Sequence, residues 1–106
     1  MSRRQKERER VVAVSDVICR AIKTRYTLSF TYKGSVRSAE PYILGYEASG
    51  TLVLSAVQVA GGSGVGFRTF LVADLSCVMQ TDRKFIGRHP DYNPRDRLFA
   101  QILCQI

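Results

Sequence analysis

Val14, Val17, Ile18, Ala21 and Ile22 fall on one stripe of a helix, the first periodic signal along the chain. Ser15 is placed to cap it, Asp16 stands in its first turn, and Arg20, Lys23 and Arg25 lie toward its end, where cations suit the helix dipole. Val11, Val14, Ile18 and Ala21 carry the same periodicity back toward the charged residues ahead. That leading stretch has no apolar face of its own, so its order is expected to depend on a partner. At Tyr26 the period switches to two. Leu28, Phe30 and Tyr32 alternate with Thr27, Ser29 and Thr31, the mark of a half-buried strand.

Lys33, Gly34 and Ser35 make a turn, and a second extended stretch runs from Val36 to about Tyr46. Pro41 within it has no amide hydrogen, which demands an edge position, a bulge or a bend. Ala48, Ser49 and Gly50 close the next hairpin, and Thr51 to Ala60, rich in Val and Leu, is a third strand. After a glycine-rich loop, Gly61 to Gly66, two more short strands are expected at about Phe67 to Ala73 and Leu75 to Thr81. Five short strands at roughly ten-residue spacing behind one helix predict a mainly β, α+β domain, built as a small barrel or a strongly bent sheet. Beyond them, Gly87, Pro90, Asn93 and Pro94 mark an irregular loop. Leu98, Phe99, Ile102, Leu103 and Ile106 then fit a short amphipathic helix capped by Asn93 with Pro94 at its first position, the reading favoured here. Ala100, Ile102, Cys104 and Ile106 fit a strand as well. The chain thus divides into a basic arm (1–13), a helix-plus-barrel domain (14–84) and a C-terminal extension (85–106).

At 106 residues, 45% of them apolar, the chain has material for one modest core and no second domain. No apolar run approaches the roughly 20 residues a membrane span needs, and the N-terminus is charged where a signal peptide has its apolar core, so a cytoplasmic protein is expected. Cys19, Cys77 and Cys104 are odd in number, far apart and set in apolar sequence, which predicts reduced, packed thiols. The net charge of +7 points toward polyanionic partners. Arg3, Arg4, Lys6, Arg8 and Arg10 against Glu7 and Glu9 supply +3 of it, making the arm a candidate contact for nucleic acid, although a solvated basic face is the simpler account.

Candidate chemistry is sparse. The glycine loop fits neither phosphate-binding fingerprint: Phe67 stands where a dinucleotide motif needs a third small residue, and no Lys-Ser or Lys-Thr pair follows. A flexible hairpin loop is the better account, with exposed amides that could still touch an anion. His89 is the single histidine and has no cysteine near it, so no metal cluster is expected. Nine scattered carboxylates on a basic chain, with no nucleophile elbow, argue against an enzyme, and no cofactor is expected. What remains is strand-borne cations near aromatics. Arg37 and Arg68, with Tyr42, Gln58 and Phe70, are the residues suited to grip phosphate and shape a pocket for a base. The competing assignment sends the aromatics to the core and the arginines to solvent.

From about Val17 to Phe85 the order of these residues resembles the WYL domain of bacterial transcription regulators, which also occurs as a short stand-alone protein. The resemblance runs through Ala21-Ile22, Leu28-x-Phe30-x-Tyr32, Arg37-x-x-Glu40-Pro41-Tyr42, Gly50-x-Leu52-Val53-Leu54-x-Ala56, Arg68-x-Phe70-x-Val72-x-Asp74 and Phe85. Leu52, Val53 and Leu54 stand where that family has Trp-Tyr-Leu, and Leu75 where it usually has an arginine after the aspartate. The resemblance implies an Sm-like or SH3-like five-stranded barrel whose basic pocket binds a nucleotide or single-stranded nucleic acid. In regulators of that family the pocket acts on a linked winged-helix DNA-binding domain. This sequence holds none, so a regulatory role would run through association with a DNA-binding chain or through the basic arm. The extension from Phe85 to Ile106 lies outside the common core and is expected to bury an open sheet edge or to build a homodimer interface. Two functions are therefore in competition: a ligand-sensing binding domain, and a structural or oligomerisation protein that has lost its ligand.

Overall fold

The computed structural model describes residues 3–62 and 64–106. Met1 and Ser2 of the expected arm lie outside them. Residues 3–13 of the arm are helical: α1 runs unbroken from Arg3 to Thr24, so Ser15 is an interior residue and caps nothing. Arg, Gln, Lys and Glu are good helix formers, and they continue the helix outward from its packed half. Residues 3–9 are exposed, whereas the Arg10 guanidinium donates to the Leu75 carbonyl and pins the middle of the helix to the body.

Six strands follow: β1 (Tyr26–Tyr32), β2 (Ser35–Tyr46), β3 (Leu52–Ala60), β4 (Gly66–Leu71), β5 (Ser76–Lys84) and β6 (Gln101–Gln105). They form one antiparallel sheet in the order β4-β3-β2-β1-β5, with β6 also on β2. β1 pairs with Ser35–Ala39 of β2 and β6 with Ile43–Tyr46, on the edge opposite β3. Pro41, which has no hydrogen to donate, falls in the gap between them, and the β2–β3 register shifts there. β4 and β5 lie at opposite ends of the strand order, yet a short 3-10 turn, Val72–Asp74, and Leu75 alone join them. The sheet must curl strongly to allow that. It does not close, because β4 and β5 form no pairing among the described residues; an open six-stranded sheet stands where a closed five-stranded barrel was expected.

The curl gives the sheet an inner and an outer face, each with its own core. On the inner face, Ile18, Ala21 and Ile22 of α1 pack with Leu28, Phe30, Ala39, Leu44, Leu54, Ala56 and Phe70. The alternation on β1 and the cross-strand pairs Leu54 with Phe70 and Ala56 with Arg68 put these side chains on one side. On the outer face Tyr42, Ile43, Val57 and Phe85 are buried, with Phe67, Tyr92, Phe99 and Ile106 against them. The C-terminal extension supplies the last three and Phe85, so it covers an otherwise bare sheet face.

The C-terminal segment differs from expectation in two ways. Residues 101–105 are a strand and not a helix, because the open β2 edge offers backbone partners that a solitary helix would leave unused. Gly45 lets the strand lie close, since a Cβ there would collide with the Gln101 carbonyl oxygen and the Phe99 ring. Nor are all cysteines reduced: Cys19 of α1 and Cys104 of β6 form a disulfide, and Cys77 is free and exposed. Their 85-residue separation made the pair invisible to local spacing.

Candidate anion site at the glycine loop

Lys33 and Gly34 turn the chain from β1 into β2, both at positive φ. Three residues on, Arg37 pairs with Phe30 and therefore stands on the inner face. Its guanidinium is fixed from several directions. Nε donates to Ser35 Oγ at 3.2 Å, Nη1 donates to Gln58 Oε1 at 3.2 Å, and the group lies over the Tyr32 ring, 5.0 Å from its centroid. Lys33 Nζ is 5.4 Å from the same ring, so two cations share one aromatic.

Gln58 is fully buried and its side-chain amide is satisfied by protein alone. Its Nε2 donates to the carbonyls of Gly61 (3.0 Å) and Gly64 (2.6 Å), while Oε1 accepts from Arg37. Gln58 thus ties the glycine loop to the strand beneath it. The consequence is electrostatic: two carbonyl oxygens that would repel an anion are turned inward onto donors.

The loop itself is exposed at Gly61, Gly62, Gly64 and Val65. Gly62 (φ +56) packs flat on the Arg37 guanidinium, with an added Cβ only 2.8 Å from its Cζ. Gly66 (φ +137) sits against Arg68, where an added Cβ would be 3.1 Å from Nη1. Arg68, on the edge strand β4, also donates from Nη1 to the Phe67 carbonyl at 2.9 Å. Two half-buried guanidinium groups from different strands therefore abut one glycine loop. The sequence marked all three features; the fold sets Arg37 against Gly62 and Arg68 against Gly66.

The other expected site residues are placed elsewhere. Phe70 is 1% exposed in the inner core, edge-on to Phe30 and Tyr32 with centroids at 5.0 and 5.1 Å. Tyr42, also 1% exposed, alternates to the outer face, opposite Arg37 and Ala39, among Phe67, Phe85 and Tyr92. Neither ring has a free face on which a base could stack. The Tyr42 hydroxyl accepts from the His89 amide at 3.0 Å, and burial raises its pKa above the ordinary value.

Beside Tyr42, Glu40 lines an open outer groove of about 400 Å³ with Lys84, Phe85, Arg88 and His89. Burial raises the Glu40 pKa, and the nearby His89 offsets part of that. A carboxyl whose pKa is higher in the folded chain than in the unfolded one favours folding when protonated. Its contribution is complete at low pH and is lost as pH rises through the folded-state pKa. Thermal melts of Glu40→Gln should therefore lie above the parent near neutral pH and converge with it in acid. A parent that melts higher at neutral pH would contradict this.

Among the described residues no group of three His, Cys, Asp or Glu side chains could hold a metal, and no helix is long and apolar enough to cross a membrane. No family model, curated protein or solved structure matches the chain.

Proposed function

We propose that the chain is a non-enzymatic binding domain for a phosphate-bearing ligand, a nucleotide or single-stranded nucleic acid, received at the glycine loop between Arg37 and Arg68. The observation that carries this reading is the placement of two guanidinium groups against the same loop. Arg37 is already held by Ser35, Gln58 and Tyr32, so little side-chain freedom remains to be lost when a phosphate binds. The +7 charge supports the reading by raising the encounter rate with polyanions. The sequence resemblance to WYL domains supports it as well. With Tyr42 and Phe70 buried, recognition rests on phosphate and backbone, and base preference should be weak. A regulatory role in the cytoplasm would act through a DNA-binding partner chain, with Arg3, Arg4, Lys6 and Arg8 of α1 as a second, nonspecific contact.

The test is titration of mononucleotides and a short single-stranded oligonucleotide at fixed salt. Arg37→Ala and Arg68→Ala should each weaken binding about 10- to 100-fold; Arg68→Ala should leave melting nearly unchanged, whereas Arg37→Ala, which strips the buried Gln58 Oε1 of its donor, should also lower it. Lysine at either position should restore part of the loss, since it returns charge without the planar fork. Deleting residues 2–10 should weaken binding about equally for all sequences and flatten its salt dependence. If both alanine variants bind as the parent does, or the parent binds no anion, the chain is better read as an oligomerisation domain.

A further inference from the structure

β6 is held less by burial than by one covalent bond. It pairs with β2 along four residues, Ile43–Tyr46, and no other strand covers its far edge among the described residues. Ile102 and Leu103 are 36% and 42% exposed, leaving Cys104 as its contribution to the cores, with Ile106 just beyond the strand. A short edge strand with so little apolar burial opens locally at small cost. The Cys19–Cys104 bond removes that freedom by fastening β6 to the part of α1 anchored by the fully buried Ile18, Ala21 and Ile22. Both cysteines are half-buried, not sealed in the core.

What β6 anchors is the cover of the outer face. Ile106 donates its amide to the Tyr42 carbonyl at 3.0 Å, and the Tyr92 hydroxyl lies 3.1 Å from both Gln105 Oε1 and the Ile106 carbonyl. Beneath this cover, Tyr42 meets Phe67 and Tyr92 with centroids at 5.1 Å. The inner core, by contrast, draws its buried residues from α1, β1 to β4 and the turn after β4, and takes from the C-terminal segment Cys104 and Ile106 at its margin.

We infer that the Cys19–Cys104 disulfide is a redox latch: its reduction releases β6 and loosens residues 85–106 from the outer aromatic face, while α1 and the inner core stay folded. The inference does not depend on the anion site. The reductant is a dithiol. Its first thiolate forms a bond to one sulfur and expels the other as thiolate; its second thiolate then displaces the mixed disulfide. The reductant leaves as an intramolecular disulfide, and the protein gains two electrons and two protons. A disulfide oxidant reverses the step.

The test uses the full chain carrying Cys77→Ser, which leaves one disulfide possible. Hydrogen exchange is compared between the oxidised protein and the protein reduced with dithiothreitol, each state verified by the mass of two hydrogens. Amides of 101–106 should exchange at least about tenfold faster after reduction, with those of β1 and β3 unchanged. Adding Cys104→Ser should reproduce the reduced pattern without reductant. Equal protection of 101–106 in both states would overturn the inference. So would loss of protection throughout β1 and β3, which would make the bond a staple of the whole fold, or failure of the bond to form under an oxidant.

Discussion

Phe70→Ala is expected to destabilise the domain by about 3–5 kcal/mol, a large part of what a chain this size has in total. Phe70 is 1% exposed and its ring meets two other aromatics, Phe30 at 5.0 Å and Tyr32 at 5.1 Å, both edge-on. Removing it takes away apolar burial and two ring contacts at once, and β4, as an edge strand, gives the neighbours no second layer from which to refill the space. Tyr32 also carries the Arg37 guanidinium, so the cavity would reach the anion site. Chemical denaturation with a two-state fit measures the loss. A variant within about 1 kcal/mol of the parent would mean that the inner core does not depend on this ring.

Gly61→Ala is the second substitution expected to act strongly, and it separates two causes. Gly61 has φ +83, a conformation that costs an ordinary residue about 1–2 kcal/mol. In addition, a Cβ there would collide with the Val36 carbonyl oxygen and crowd the Arg37 Cα at 3.2 Å, both backbone atoms that cannot swing aside. The loop would have to lift off β2, breaking the Gln58 hydrogen bond to Gly61 and uncovering the guanidinium. Gly34→Ala is the control, with φ +78 and nothing within 4 Å of its added Cβ. Its melting temperature should fall by the conformational cost alone, whereas Gly61→Ala should fall further and lose anion affinity. Equal losses from the two would remove the steric argument.

The legible parts of the fold were those set by local periodicity. Strict alternation from Thr27 to Tyr32 gave β1, with Leu28, Phe30, Leu54 and Phe70 all buried as the pattern required. Pro41 announced a break in β2, and the break is there. Long-range events were harder to read. The pattern from Leu98 to Ile106 left helix and strand both open, and an edge of β2 that β1 leaves vacant decides for the strand; the disulfide, which escaped, depends on that strand reaching α1. An odd number of cysteines pointed the wrong way, because one pair and one free thiol are also odd. In the site, arginines on alternating strands were readable, and so was the glycine loop. The pairing of Tyr42 with them was not sound: five residues on from Arg37, it falls on the opposite side of the sheet by alternation, and the bulge after Pro41 sets Ile43 beside it there.

The central claim, that an anion is held where Arg37 and Arg68 abut the glycine loop, is tested most directly by mapping the contact on the protein. Isotope-labelled protein is titrated with a short single-stranded oligonucleotide and, separately, with inorganic phosphate, and side-chain arginine and backbone amide resonances are followed. The largest shifts should fall on the Arg37 and Arg68 guanidinium groups and on the amides of Gly61, Gly62, Gly64 and Gly66, with smaller, salt-sensitive shifts along Arg3 to Arg8. Shifts confined to α1, or to the outer groove around Lys84 and Arg88, with the loop and both arginines unmoved, would contradict it.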